Sequence, residues 1–176
     1  MSQSLAHLNA LPAEAARSEF LKCCGAQRWA QEMTAARPFA GLDELLTTAD
    51  RVWRSMSEAD WQEAFRAHPK IGEKKAATSQ AEQAERWSAQ EQAGVTRASI
   101  KTSSELAQRN REYEERFGFI FIVCATGKSS EEMLAIINRR IQNDPETELR
   151  AAAQEQHQIT RLRLEKLLDR DPGPSS

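Results

Sequence analysis

One segment of this chain has the composition of a β-strand, and no second segment is available to pair with it. Residues 119–125 read Phe-Ile-Phe-Ile-Val-Cys-Ala, a run of aromatic and β-branched side chains. A lone strand is not stable in water. The pattern therefore predicts an extended, buried segment within a helical domain. Its backbone N–H and C=O groups need partners, and a ligand is one candidate.

The other periodic segments have helical spacing, and several carry recognisable end signals. Pro12 opens a helix that Gly25 stops, and Pro145 opens a last helix that reaches Leu168. These signals, with the apolar stripes between them, predict an all-α fold of about eight to nine helices.

Serine residues mark two further helix starts. Ser57 precedes Asp60 by three positions, which is a capping-box pattern, and Ser129 or Ser130 caps the helix after the extended segment. No internal repeat or linker is evident. We therefore expect a single-domain bundle over residues 1–170 and a disordered tail at residues 171–176.

Composition excludes several classes of function. Lys and Arg total 24 and Asp and Glu total 26, a formal charge of −2, so the basic face of a nucleic-acid-binding protein is not expected. The longest apolar run is too short to span a bilayer, and neither a signal peptide nor a peroxisomal signal is evident. Three cysteines, an odd number, suggest reduced thiols. These features predict a cytoplasmic protein.

His68 is the first candidate for chemistry, because histidine titrates near neutral pH. It follows Trp61, Ala64 and Phe65 on one helix face, and Pro69 ends that helix. A histidine on an apolar face is more often a core residue with one hydrogen bond. The turn forced beside the imidazole favours a site. His7, by contrast, is expected in a frayed N-terminus.

Ser88 and Glu91 are open to two interpretations. Ser-x-x-Glu is itself the capping-box pattern, which spacing alone favours. A helix N-terminus also offers free N–H groups to an anion, and Gln92 adds an amide beside Glu91. The cap and the site are compatible.

Arg163 lies on the inner face of the last helix, about 40° around the axis from Leu149. Gln156 shares that face, whereas Arg161 is expected to point to water. A buried guanidinium must be paired or must bind something. A structural salt bridge, with Glu91 as the candidate partner, and a clamp for a carboxylate or ureido group are equally favoured. No spacing of His, Cys or acidic residues predicts a metal site.

Four motifs occur in order along the chain, and together they carry a family resemblance. They are His-Pro-Lys-Ile-Gly at 68–72, Ser-x-x-Glu-Gln-Ala-Gly at 88–94, Phe-Gly-Phe-Ile-Phe-Ile-Val-Cys-Ala at 117–125 and Arg-Leu-Arg-Leu at 161–164. The chain closely resembles the 2-oxo-4-hydroxy-4-carboxy-5-ureidoimidazoline (OHCU) decarboxylases of urate degradation. Ile120 stands where animal members of the family often have proline. In this respect the chain resembles the bacterial branch.

The resemblance implies an all-α homodimer that needs no cofactor and decarboxylates OHCU, a small anion, to S-allantoin. It implies that His68 is the catalytic acid/base and that Glu91 supports it. It further implies substrate contacts from Pro69, Ser88, Gln92, Phe121, Ile122, Val123, Cys124, Ala125 and Arg163. The alternatives are a non-catalytic helical binding module, and a lyase or hydrolase acting on another ureido compound. The decarboxylase hypothesis requires His68, Glu91 and Arg163 to converge.

Overall fold

The computed structural model describes residues 3–69 and 100–169, and within those ranges it contains eight helices and no strand. The all-α prediction is therefore confirmed. The helices are α1 (Gln3–Ala10), α2 (Ala13–Cys23), α3 (Gln27–Ala35), α4 (Leu42–Arg54), α5 (Glu58–Arg66), α6 (Ile100–Phe117), α7 (Ser130–Arg140) and α8 (Pro145–Leu168).

The chain divides into two compact units, with boundaries inside α5 and α8. Unit 1 comprises Met1–Ala64 and His157–Ser176, and unit 2 comprises Phe65–Gln156. The prediction of one domain over residues 1–170 stays a prediction, and the expected tail lies outside the described residues.

Unit 1 has a core built around the ring of Phe20 on α2. Phe20 makes edge-on contacts with Trp29 on α3 and with Phe39, at centroid distances of 6.1 Å and 6.4 Å. All three rings are essentially inaccessible to solvent. Edge-to-face contacts of this kind add to the free energy gained by burying the rings, so they fix how α2 packs on α3.

The frayed N-terminus expected around His7 is wrong, because residues 3–10 form α1. Asn9 exchanges two hydrogen bonds with the backbone of Phe39, at 2.8 Å and 2.9 Å. The Arg37 guanidinium donates to the carbonyl oxygens of Leu8 and Leu11, at 2.8 Å each. The bond to Leu8 satisfies one of the last carbonyls of α1, and the bond to Leu11 holds the residue that follows the helix.

A cluster of three charged or titratable side chains joins α4 to α8 within unit 1. The Asp50 carboxylate lies 2.6 Å from Nε2 of His157 and accepts hydrogen bonds of 2.9 Å and 2.7 Å from Nη1 of Arg161. Arg161 was expected to point to water, and this is wrong. Helical periodicity gave its direction around α8 but could not show that α4 brings a carboxylate there.

Unit 2 has a core of aromatic and aliphatic residues from α6, α7 and the segment between them. Tyr113 packs against Phe117 and Phe121, with centroids 4.7 Å and 5.2 Å apart. Gly118 ends α6 with a φ of 78°, a left-handed conformation that glycine adopts without a steric cost. The chain then turns and enters the extended segment.

The two serine caps form as predicted. Ser57 Oγ accepts from the Asp60 N–H at 3.3 Å, and Asp60 accepts from the Ser57 N–H at 2.8 Å. Ser129 and Glu132 make the same reciprocal pair at 3.2 Å and 2.7 Å. Each pair satisfies two N–H groups at a helix start, which explains why α5 and α7 begin where they do.

Candidate functional site

His68 is half-buried in the turn that follows α5. The helix ends at Arg66, two residues before His68, and the His68 N–H donates to the Phe65 carbonyl at 3.1 Å. Pro69 follows and is also half-buried. The imidazole Nε2 lies 2.6 Å from Oε1 of Gln156, a residue of α8 that also belongs to unit 2. The histidine is therefore held at one ring nitrogen by a neutral amide.

Of the predicted extended segment, residues 119–125, Phe121–Ala125 are all buried and form neither helix nor strand, whereas Phe119 and Ile120 are half-buried. Side chains of this chain bind its backbone. Arg140 Nη1 donates to the Ile122 carbonyl at 2.7 Å, and the Cys124 N–H donates to Glu155 Oε2 at 2.7 Å. Lys128 Nζ donates to the Cys124 carbonyl at 2.6 Å. These contacts supply partners that a neighbouring strand would supply in a sheet.

The buried ion pair of Arg140 and Glu148 supports this segment. Glu148, with no exposed surface, accepts from Arg140 Nε at 2.8 Å and from Asn143 Nδ2 at 2.8 Å. The Tyr113 hydroxyl also donates to Glu148, and the Arg140 guanidinium lies 4.9 Å from the Phe121 ring centroid. Burial raises the pKa of Tyr113, and the adjacent Glu148 carboxylate acts in the same direction. The phenol therefore remains a neutral donor.

Arg163 is 4% exposed, as the inner position on α8 predicted. It belongs to unit 1, where Cys23 and Cys24 are its neighbours. Burial raises the pKa of both thiols, and for Cys24 the value reaches about 11 despite the opposing effect of the guanidinium. The thiols are therefore protonated beside the cation, and its predicted role in substrate binding stays a prediction.

Three predicted site residues, Ser88, Glu91 and Gln92, lie outside the described residues. The predicted convergence of His68, Glu91 and Arg163 is therefore not tested, since His68 and Arg163 also fall in different units. What the structure brings together is His68 with Gln156, and the backbone of residues 121–125 with Arg140 and Glu155.

In the described part of the chain, no group of three or more His, Cys, Asp or Glu side chains is placed to hold a metal ion. No helix within residues 3–69 and 100–169 is long and apolar enough to cross a membrane. The absence of a cofactor requirement stays a prediction.

Sequence reasoning missed the polar residues that bind the His68 side chain and the backbone of residues 121–125. Gln156 was placed on the inner face of α8 but given no role, and Arg140, Glu148 and Glu155 were not singled out. A signal was available for two of them. Arg140 shares a helix face with Met133 and Ile137, and a charge within an apolar stripe must be paired. Glu148 lies next to Leu149 on α8 and shares a face with Ala152.

Comparison with known proteins identifies relatives over most of the chain. The family model for OHCU decarboxylase matches residues 9–165. The uric acid degradation bifunctional protein TTL of Arabidopsis thaliana is 36% identical over 154 residues, which cover 88% of this chain. The chain spans only about half of that protein, 48% of its length.

A second relative and a solved structure match more of their own length. The 2-oxo-4-hydroxy-4-carboxy-5-ureidoimidazoline decarboxylase of Haloferax volcanii is 34% identical over 135 residues, 77% of each chain. A crystal structure of OHCU decarboxylase in the presence of (S)-allantoin has a TM-score of 0.75 and 36% identity. That match covers 87% of this chain and 99% of the solved one.

Proposed function

Because the chain belongs to the OHCU decarboxylase family, we propose that it converts OHCU to (S)-allantoin and carbon dioxide in urate degradation. The observation that carries this proposal is the family match over residues 9–165, since that range contains His68 and every other residue predicted for the site. The similarity to a structure solved in the presence of (S)-allantoin supports the same product.

The substrate's own chemistry explains how few groups the reaction needs. When the carboxylate leaves as carbon dioxide, its bonding electron pair stays on the carbon that carried it. The adjacent ring C=N bond accepts that pair, its nitrogen takes up a proton from solvent, and an enol-like intermediate forms. The substrate therefore provides its own electron sink, which is the task that a cofactor performs in many decarboxylases. The protein must orient the carboxylate, stabilise the intermediate and deliver one proton.

His68 is the proposed acid/base. It removes the proton of the 4-hydroxyl group as this becomes the ring carbonyl, and it delivers a proton to one face of the ureido-bearing carbon. General acid–base catalysis of this kind contributes about 10²–10⁴-fold to a rate. The remaining acceleration comes from positioning and electrostatics. Delivery to one face makes the product a single enantiomer.

The other groups of the site have supporting roles in this proposal. The backbone of Phe121–Ala125, fixed by Arg140 and Glu155, presents polar groups to the substrate. As the family resemblance implies, Glu91 supports His68, and Pro69, Ser88, Gln92 and Arg163 contact the substrate. Their replacement should raise KM or lower kcat, and steady-state kinetics separates the two effects.

Turnover tests the proposal directly. OHCU is generated in situ from urate, and circular dichroism follows the appearance of (S)-allantoin. The wild-type protein should accelerate formation of one enantiomer, and His68→Asn should reduce the rate by about 10²–10⁴-fold. His7→Asn is the matched control, because His7 is exposed on α1, and it should behave as the wild type.

Two results would contradict this proposal in different ways. If His68→Asn keeps the wild-type rate and enantiomeric excess, the acid/base role of His68 is wrong. If the wild-type protein gives no acceleration, the decarboxylase function is wrong. Retained binding of the substrate would then favour a binding module, and turnover of another ureido compound would favour a related lyase or hydrolase.

Assembly and location are part of the same proposal. The resemblance supports a homodimer, which light scattering coupled to gel filtration would test. Three buried cysteines, none of them in a disulfide, support residence in a reducing compartment such as the cytoplasm. Fractionation of the native cells tests that placement.

A further inference from the structure

Gln156 is a buried polar residue whose side chain contacts the proposed catalytic histidine. Its exposed fraction is 0%, and its Oε1 lies 2.6 Å from Nε2 of His68. The two residues are 88 positions apart in sequence and belong to unit 2. A buried amide needs hydrogen-bond partners. Because His68 is one of them, the Gln156 amide is held in place beside the imidazole.

The chemistry of an amide oxygen determines what this contact does to the ring. Such an oxygen accepts hydrogen bonds and cannot donate one. Nε2 of His68 must therefore carry a hydrogen, and in the neutral ring the lone pair resides on Nδ1. The bond made by one ring nitrogen sets the state of the other.

We propose that Gln156 is a positioning residue that holds His68 as the Nε2–H tautomer, so that Nδ1 is the atom that accepts and releases the catalytic proton. The inference rests on the proposed function for the role of that proton. The tautomer itself is a property of the folded protein that can be measured without any turnover.

Glu155, the residue before Gln156, strengthens the inference. These two consecutive residues of α8 bind the Cys124 backbone and the His68 side chain, respectively. Glu155 accepts from the Cys124 N–H at 2.7 Å, and Gln156 contacts His68. Consecutive helix residues point about 100° apart, so this turn of α8 reaches two chain segments. The rings of Phe65 and Phe119, which precede His68 and Cys124 in these two segments, are in contact, with centroids 5.3 Å apart. One turn of helix thus orients the imidazole relative to the extended backbone.

A purely structural role for Gln156 makes different predictions from a positioning role. If the amide only satisfies its own hydrogen bonds, its loss destabilises the fold but leaves the ring's chemistry as it was. If it positions His68, its replacement changes the tautomer or the protonation of the ring. Gln156→Leu removes the acceptor, and Gln156→Glu replaces it with a charged acceptor of the same shape.

Nuclear magnetic resonance of the ¹⁵N-labelled protein provides the test. Long-range ¹H–¹⁵N spectra distinguish the two neutral tautomers, and His68→Asn identifies the signals of His68. In the wild type above the titration midpoint, Nε2 should appear protonated and Nδ1 unprotonated. Gln156→Leu should shift the signals towards a mixture, and Gln156→Glu should raise the pKa of His68 because a carboxylate stabilises the imidazolium. Gln154→Leu, exposed on the same helix, should change neither.

Kinetics completes the test. Gln156→Leu should lower kcat about tenfold or more with a smaller change in KM, because Gln156 acts through His68 rather than on the substrate. A wild-type spectrum with the hydrogen on Nδ1, or unchanged ring signals in both Gln156 variants, would overturn the inference. The wild-type spectrum decides even if Gln156→Leu does not fold. If the tautomer is as expected and the wild type has no decarboxylase activity, the proposed function and the catalytic role of Nδ1 fail, and only the effect of Gln156 on the tautomer remains.

Discussion

Glu148 is the residue at which the buried polar contacts of unit 2 meet. Its carboxylate accepts hydrogen bonds from Arg140, Asn143 and Tyr113, and no part of the residue is exposed. An ionised carboxylate is costly to bury unless its lone pairs are occupied and a cation is adjacent. Both conditions hold here. Arg140 also binds the Ile122 carbonyl, so the pair links the hydrophobic core to the extended segment.

Removal of Glu148 should therefore destabilise the protein strongly. Glu148→Leu leaves Arg140 as an uncompensated buried cation and should lower the free energy of unfolding by about 3–5 kcal/mol. The double variant Arg140→Met/Glu148→Leu should recover much of that loss, because it removes the stranded charge as well. Urea unfolding followed by circular dichroism measures both.

Glu146→Leu is the control for this pair, since Glu146 and its partner Arg150 are exposed on the same helix. An exposed ion pair contributes about 0–1 kcal/mol, so this variant should unfold close to the wild type. A Glu148→Leu protein within about 1 kcal/mol of the wild type would show that the buried pair contributes little.

Single residues also show where sequence reasoning succeeded and where it stopped. The inner position of Arg163 was predicted from helical angles alone, and its 4% exposure agrees. The same rule applied to Arg140 and Glu148 would have marked both as paired. The partner of His68 was beyond such reasoning, because Gln156 lies 88 positions away and only tertiary packing brings the two together.

At the scale of helices, the boundaries that local chemistry determines were the predictable ones. The capping pairs Ser57–Asp60 and Ser129–Glu132 form as expected, and Pro145 opens α8. Helix α1 was missed because its end is stabilised by Arg37, far along the chain. Arg161 was misplaced for a similar reason: its partner Asp50 comes from α4.

The contact between α4 and α8 should make stability depend on pH. Burial alone would raise the pKa of Asp50, but the hydrogen bonds from His157 and Arg161 outweigh it and hold the pKa below the ordinary 3.8. A carboxyl group with a lowered folded pKa stabilises the fold above its unfolded pKa. That contribution is lost as the pH falls through the folded pKa.

Asp50→Asn should therefore reduce stability by about 1 kcal/mol at pH 7, and its difference from the wild type should shrink in strongly acidic solution. Urea unfolding at a series of pH values from neutral down to below 3.8 measures the difference. Asp43→Asn, exposed on the same helix, is the matched control and should show a smaller pH dependence. A constant difference at all pH values would contradict the ionic origin of the effect.

For the molecule as a whole, the sequence indicated the family and the helical class, whereas the support of the site required the structure. Residues 119–125 were predicted to be extended and buried, and Phe121–Ala125 are indeed buried outside any helix or strand. The chain's own side chains, Arg140, Lys128 and Glu155, bind its backbone. No local pattern encodes those pairings, because each depends on where separate helices come together.

The buried cysteines can report local unfolding of each unit, because their thiols react only when they become exposed. Cys23 and Cys24 lie in unit 1 and Cys124 lies in unit 2, with exposed fractions of 0%, 0% and 6%. Thiol-specific alkylation should be slow in the native protein, because burial hides the sulfur atoms and raises the pKa of Cys23 and Cys24. Peptide mapping during alkylation in low urea should then give separate opening rates for the two units, and rapid labelling without urea would contradict this. A chain with no engineered probe can thus report whether its halves unfold together or in sequence.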